Sequence, residues 1–294
     1  MKTLDKIFKK VNRLFIDENS KIVLMSDCHR GSGNYDDNFR KNQNIYDSAL
    51  RHYYNQGFTY IELGDGDEMW EIKSYSEIVE EYLDSFKELK RFNDDGRLIM
   101  IYGNHDIEKK NASILEKYFY YYVDKETKEK KELLSDLKVY DGLILQYKKY
   151  DIFLIHGHQV DFLNHTLWPI SRFLVRHVWS HFELAGVKDP TEAAKNYRVK
   201  NKVEKKLQKW SNDHNKILIA GHTHRPIFPK SKDSLYFNDG SCIHPNGITC
   251  IEIENGKITL VKWGFDVNKK EQIVVRRFVL EGSEAIEDFF KPTK

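Results

Sequence analysis

The chain has 294 residues, of which 40% are hydrophobic and 31% charged, a balance that suits a soluble globular protein with a substantial core. Its 47 basic and 45 acidic residues leave a net charge of +2, so overall charge gives no reason to expect a nucleic-acid or membrane partner. The length fits one large α/β domain over 1–294, and no segment approaches the ~20 apolar residues that a membrane-spanning helix needs.

In chain order, Leu4, Ile7, Phe8, Val11 and Leu14 recur at helical spacing among lysines. They predict a short helix packed on the body of the protein; a basic amphipathic helix of this kind also fits a peripheral membrane contact. No uninterrupted apolar stretch there is long enough for a signal peptide. The cysteines, Cys28, Cys242 and Cys250, are odd in number and lack C-x-x-C spacing. They argue against a disulfide framework or a thiolate zinc site, and for a reducing, cytoplasmic compartment.

Five short apolar runs end abruptly in residues that bind metals. "KIVLM" (21–25) leads into Ser26-Asp27-Cys28-His29, and "YIEL" (60–63) into Gly64-Asp65-Gly66-Asp67-Glu68. "LIMIY" (98–102) leads into Gly103-Asn104-His105-Asp106, "DIFLI" (151–155) into His156-Gly157-His158, and "KILIA" (216–220) into Gly221-His222-Thr223-His224. Runs of this length read as strands buried on both faces. Helical periodicity over 38–56 and 75–92 separates the first three, which predicts largely parallel pairing. Ligands bind outside the carboxyl ends of such strands, so all five clusters would converge. One Gly-Asp or one His at a strand end is usually turn chemistry; five in succession with the same grammar are not. On extended backbone, alternation puts Asp27 and His29 on one face and Cys28 on the other, as a small buried filler.

Between and beyond these runs the signals are weaker. "YFYYY" (118–122) before "DKETKEKKE" predicts an aromatic core edge entering a solvated turn. Residues 159–215 form a helical insertion. Ile170, Phe173, Leu174, Val178 and Phe182 follow Pro169 at helical spacing, and a second helix runs from 191 through 210 with Val203, Leu207 and Trp210 on one face. The pair would pack on the core or cap the site, with Trp168, Trp179 and Phe182 as an apolar wall. In the cap reading Arg172, Arg176 and Arg198 hold phosphate, as Arg30 and Arg225 would from the motif loops. The run 237–263, with its Asn-Gly turns, predicts successive strands completing the second sheet, and His244 there is structural.

The pooled candidates, Asp27, His29, Asp65, Asn104, His105, His156, His158, His222 and His224, offer oxygen and imidazole donors without thiolate. That mix suits Mn, Fe, Zn, Co or Ni better than Mg or Cu(I). The ligands outnumber one tetrahedral site, so two divalent metal ions are expected, with Asp65 bridging. Such a pair can hold a hydroxide for in-line attack at phosphorus, and His105 is placed to serve the leaving oxygen.

Asp27-x-His29, Gly64-Asp65-x-x-Glu68, Gly103-Asn104-His105-Asp106, His156-Gly157-His158 and Gly221-His222-Thr223-His224 together resemble the signature of the calcineurin-like metallophosphoesterases. The resemblance covers about residues 20–245 in order and rough spacing. It implies a four-layer αββα fold of two packed sheets flanked by helices. It also implies that Asp27, His29 and His224 hold one metal, and Asn104, His156 and His222 the other, with Asp65 shared. His105 would be the catalytic histidine, oriented by Glu68 or Asp106. Gly64-Asp65-x-x-Glu68-x-Trp70 and the run Gly221 to Pro226 are similar to the UDP-2,3-diacylglucosamine pyrophosphatase branch, although that branch carries Arg where this chain has His105. The expected activity is hydrolysis of a small-molecule phosphoester or pyrophosphate, with manganese favoured. A nuclease would want a continuous basic groove, and a non-catalytic scaffold would have lost ligands that this chain retains.

Overall fold

The computed structural model describes residues 2–34, 37–72, 74–161, 197–229 and 234–290. The first three apolar runs form parallel neighbours, β2 (Lys21–Met25), β3 (Thr59–Leu63) and β4 (Leu98–Ile101). β7 (Val139–Tyr140) lies beyond β4. β12 (Ile248–Glu254), β13 (Lys257–Val267) and β14 (Ile273–Ala285) extend the other edge, giving seven strands in the order β14-β13-β12-β2-β3-β4-β7. The second sheet runs β1-β8-β9-β10-β11, from β1 (Asn12–Ile16), β8 (Leu143–Tyr147), β9 (Tyr150–Leu154), β10 (Ile217–Ala220) and β11 (Tyr236–Asn238). A separate hairpin pairs β5 (Tyr121–Val123) with β6 (Lys130–Glu132), carrying the charged turn.

Period-two alternation sorts the apolar side chains into layers. Ile22, Leu24, Ile61, Leu63 and Ile101 face Leu143, Leu145, Ile152, Leu154, Ile217 and Ile219 between the sheets. Val23, Met25, Tyr60 and Met100 instead face α2 (Gln43–Asn55) and α4 (Leu83–Asp94), where Leu50, Tyr53, Phe86, Leu89 and Phe92 are buried. On the far side Ile144, Phe153 and Leu218 meet α1 (Lys2–Lys10) and α6 (Tyr197–His214). The shorter α3 (Tyr75–Glu81) and α5 (Ala112–Tyr118) join the α2–α4 layer. The layers therefore run helix, sheet, sheet, helix, as the family resemblance implies.

One expectation is corrected. The run 237–263 divides: β11 joins the second sheet, whereas β12 attaches to β2 in the first and β13 to β12 beyond it. Asn255 and Gly256, at φ 54° and 66°, make a tight hairpin turn that holds β13 beside β12, and Ile251 and Ile253 align with Leu24 and Ile22. The helix expected at the start of the chain forms α1 and packs on the body of the protein: Leu4 and Ile7 are buried, and Phe8 meets Phe153 edge-on at 5.3 Å. Among the described residues no helix is long and apolar enough to cross a membrane. In the 159–215 region, α6 packs Val203, Leu207 and Trp210 against the second sheet. The helix expected before it, with Trp168, Arg172, Arg176, Trp179 and Phe182, falls outside the described residues.

Asp47 of α2 is buried against α4, where Ser85 Oγ donates to its Oδ1 at 2.6 Å. Burial raises its carboxyl from 3.8 to about 6. A raised native pKa favours folding while the group is protonated, and that contribution is lost as pH rises through about 6. Asp47→Asn keeps the acceptor and removes the charge. It is expected to gain up to about 3 kcal/mol over the parent at pH 8, shrinking toward zero by pH 4. Urea unfolding at both pH values checks this; an equal gap at the two would reject it.

Candidate metal centre

The five strands deliver their ends to one rim, three from the first sheet and two from the second. Hydrogen bonds continue past the strand ends: Asp27 N–H reaches Gly64 O at 3.0 Å, His29 N–H reaches Asp65 O at 2.9 Å, and Gly221 N–H reaches His156 O at 2.9 Å. The backbone then turns sharply. Asp27, His29, Asp65, His222 and His224 all sit in the left-handed region, at φ 51°, 48°, 51°, 66° and 53°. Non-glycine residues adopt that region at a cost, and such residues cluster at functional sites. The extended-strand account of Asp27-x-His29 is thereby corrected: two left-handed residues, not strand alternation, aim both side chains at the rim. Cys28 between them is fully buried in the core under α2, as expected of a filler. Gly64 and Gly103 allow the loops to touch, since a Cβ at Gly103 would lie 2.0 Å from Asp65 Oδ1 and one at Gly64 2.7 Å from Gly103 N.

At the rim, His29, Asp65 and His105 bring one donor atom each within 4.8 Å of one another, and so do two groups that draw on both sheets, Asp27, His29 and His224, and Asp65, His156 and His222. Asp65 Oδ2 stands between the two groups, 3.0 Å from His156 Nε2 and 3.9 Å from His29 Nε2. His224 Nε2 is 3.0 Å from Asp27 Oδ1. The surrounding protein fixes which atoms remain open. His156 Nδ1–H donates to Leu63 O at 2.8 Å, leaving Nε2 as the ligand atom. His29 Nδ1 lies 3.0 Å from Glu68 Oε2, with the same consequence. Asp65 Oδ1 accepts from His105 N–H at 2.8 Å and Asp27 Oδ2 from His222 N–H at 2.8 Å, so each carboxylate keeps its other oxygen for the centre.

Whether these residues fit a metal is answered by the atoms left over. Asp27 Oδ1, Asn104 Oδ1, His156 Nε2 and His222 Nε2 are buried without hydrogen-bond partners. Buried acceptors left unpaired are costly, and a divalent cation satisfies oxygen and imidazole donors together. The set fits. Burial disfavours charge on Asp27 and His29 alike. Even so, His224 and His156 hold the Asp27 carboxyl well below its ordinary range, and Asp27 and Glu68 hold the His29 imidazole well above its own. Protons and a cation therefore compete for the same atoms.

His105 stands beside this centre, with Nδ1 2.8 Å from Glu68 Oε2 and its ring stacked on Trp70 at 4.4 Å. Burial lowers its pKa, but Glu68 and Asp65 more than compensate and raise it to about 9. His158 lies one ring behind His156, at 5.5 Å, outside all three donor groups.

Two residues expected at the substrate or the catalytic histidine do other work. Arg30 is fully buried, with Nε on Asp67 Oδ1 at 2.6 Å and Nη1 and Nη2 on Glu62 at 2.9 and 3.0 Å. Asp106 accepts from the backbone N–H of Asp65, Gly66 and Gly103 at 3.2, 3.1 and 2.6 Å, and from Lys109 Nζ at 2.9 Å. Glu68, not Asp106, is the carboxylate on His105. Lys109 Nζ also meets Asp67 at 2.6 Å, closing a buried cluster of two cations and three acids. Sequence reasoning passed over Glu62, Asp67 and Lys109. The signal was Glu62, a charge inside an otherwise apolar strand, which demands a buried cation. Arg225 lies beyond His224 and pairs with Glu204 of α6. Arg172 and Arg176 lie outside the described residues.

Residues 21–255 match the calcineurin-like phosphoesterase superfamily domain. The chain belongs to that superfamily. The match takes in all five strand-end clusters, and membership brings the family's general activity, metal-dependent hydrolysis of phosphoesters. No curated protein matches the chain. Among solved structures it is similar to a predicted phosphoesterase from Streptococcus pneumoniae TIGR4, at 14% identity and TM-score 0.35, covering 88% of this chain and 97% of that one. Chaetomium thermophilum Vps29 aligns at 10% identity and TM-score 0.40, covering 92% and 100%. A cold-active protein-tyrosine phosphatase of a psychrophilic Shewanella aligns at 12% identity and TM-score 0.40, covering 91% and 82%.

Removing one cation from the buried cluster strands an acid, which typically costs about 3–5 kcal/mol. Lys109→Met is expected to lose that much in urea unfolding, and a loss below about 1 kcal/mol would dismiss the cluster as a stabilising element. Cys28→Ala, in contrast, is expected to keep turnover within about threefold, because the thiol only fills space. A folded, metal-loaded but inactive Cys28→Ala would overturn that assignment.

Proposed function

We propose that the chain is a metal-dependent phosphohydrolase cleaving a phosphoester or pyrophosphate bond of a small molecule. The observation that carries this reading is the convergence of four buried, unpartnered acceptor atoms, from Asp27, Asn104, His156 and His222, beside a histidine gripped by a carboxylate. Asp27, His29 and His224 would hold one ion, and Asn104, His156 and His222 a second, with Asp65 shared. Manganese is the proposed metal; Fe, Zn, Co and Ni suit the same donors. Bound ions would neutralise charge on the phosphoryl oxygens and lower the pKa of a coordinated water.

The protein's own groups divide the remaining work. Glu68 takes Nδ1–H of both His29 and His105, which fixes both rings and leaves each Nε2 toward the chemistry. His105 Nε2 would then carry a proton toward the departing oxygen. Trp70 limits the tilt of that ring by stacking on it. Arg225, partly exposed beside His224, is the described arginine offered to substrate phosphate. Trp70 and the run through Arg225 and Pro226 also belong to the pattern of the UDP-2,3-diacylglucosamine pyrophosphatase branch, which makes a nucleotide-diphosphate sugar one substrate to test. We take the chain as one domain with 159–215 inserted, and its three free buried thiols accord with a reducing, cytoplasmic setting.

Chelator-stripped protein is expected to lose hydrolysis of an aryl phosphodiester and regain it with Mn. Asp65→Asn should abolish turnover, and His105→Ala should lower it by about 10²–10⁴-fold, the usual worth of acid–base help. Full activity of Asp65→Asn would end the two-metal reading. Assaying monoesters, diesters, nucleotide sugars and polynucleotides side by side identifies the substrate class, and preference for polynucleotide would replace the small-molecule reading with a nuclease.

A further inference from the structure

Asp239 follows β11 directly and is fully buried. Its backbone N–H donates to Ala220 O at 3.1 Å, at the end of β10. Its Oδ1 lies 2.8 Å from Ser26 Oγ, and its Oδ2 is buried without a partner. No cation among the described residues pairs with it. Ser26 Oγ in turn lies 2.5 Å from Asp27 Oδ2. Gly221 keeps the space open, since a Cβ there would fall 2.2 Å from Ser26 Oγ.

Counting protons decides the direction of this chain. Ser26 has one hydroxyl hydrogen and two carboxylate oxygens within bonding distance, so it cannot donate to both. One contact must use a proton from a carboxyl group. Asp27 is the anion of the pair, because its Oδ2 already accepts the His222 N–H and its Oδ1 faces His224 Nε2. Asp239 Oδ2 has no hydrogen-bond partner, and burial together with nearby Asp27 outweighs Ser26 and the more distant His156 and pushes its carboxyl well above the ordinary range.

We propose that Asp239 is a positioning residue, a neutral acid that donates to Ser26 so that Ser26 donates to Asp27 Oδ2 and fixes Asp27 Oδ1 toward the metal. The relay joins the end of β2 to the ends of β10 and β11, and so locks ligands from both sheets. It rests on the metal-centre reading above. Groups behind a ligand commonly change metal affinity by 10–100-fold when removed.

The test is Mn binding to the chelator-stripped full chain by isothermal titration calorimetry. Asp239→Asn, whose amide N–H replaces the acid proton, is expected to bind within about threefold of the parent, whereas Asp239→Ala and Ser26→Ala each weaken one site by about 10–100-fold. The double variant should be no weaker than either single one, because the two act in series. Asp239→Asn as weak as Asp239→Ala would show that a charged carboxylate is required, and parent-like binding by Asp239→Ala would remove the relay altogether. Should Asp239→Ala fail to fold by circular dichroism, Ser26→Ala and Asp239→Asn still give opposite answers for and against the relay. Parent protein that binds no Mn would instead reject the metal centre itself.

Discussion

Arg30 and Lys109 lie side by side beneath the rim, wholly out of solvent, with Glu62, Asp67 and Asp106 around them. Burying two cations is tolerable only where acids meet them at close range and spare protons find acceptors. Here they do: Tyr46 and Tyr60 close the outer side, with Tyr46 OH on Arg30 and Tyr60 OH on both Tyr46 and Glu62. The cluster holds more than its own charges. Asp106 carries its influence upward into three backbone N–H groups, those of Asp65, Gly66 and Gly103. The loops after β3 and β4 are thus fixed from below before any ligand side chain is considered.

From that base the strain at the rim becomes intelligible. Five ligand-type residues hold left-handed backbone conformations that their side chains disfavour. Neighbours restrain them: the loop after β3 lies beside Asp27 and His29, Gly103 packs on Asp65, and His222 N–H is held by Asp27 Oδ2. Four open acceptor atoms point inward as the outcome. Packing stabilises the sheets, the sheets fix the loops, and the loops keep unpaired atoms where a cation can satisfy them.

Much of this was legible in the chain. Apolar runs ending in His, Asp or Asn identified the strands and their shared rim, because strands buried on both faces leave little room for other patterns. What escaped depended on long-range pairing or on side-chain direction. Nothing local in 237–263 says which sheet β12 will join; that follows from Ile251 and Ile253 matching Leu24 and Ile22 across the first sheet. Adjacency to His29 suggested that Arg30 faces substrate, yet the left-handed turn at His29 sends Arg30 downward to Glu62. Glu62 itself was the visible clue. Asp27-x-His29 was recognised for the correct pair by the wrong backbone, since spacing alone does not distinguish an extended run from two left-handed residues.

The donor groups have a further property that follows from where the strands end. Asp27 and His29 come from the first sheet while His224 comes from the second; Asp65 belongs to the first and His156 and His222 to the second. Each of these two groups draws on both sheets, whereas a third, His29, Asp65 and His105, lies wholly in the first. A cation seated in either mixed group would act as a rivet through the sandwich, adding to the hydrogen bonds that already cross the rim, His156 Nδ1–H on Leu63 O and His222 N–H on Asp27 Oδ2. Chemistry at the rim and mechanical closure of the two halves are, by this construction, the same event.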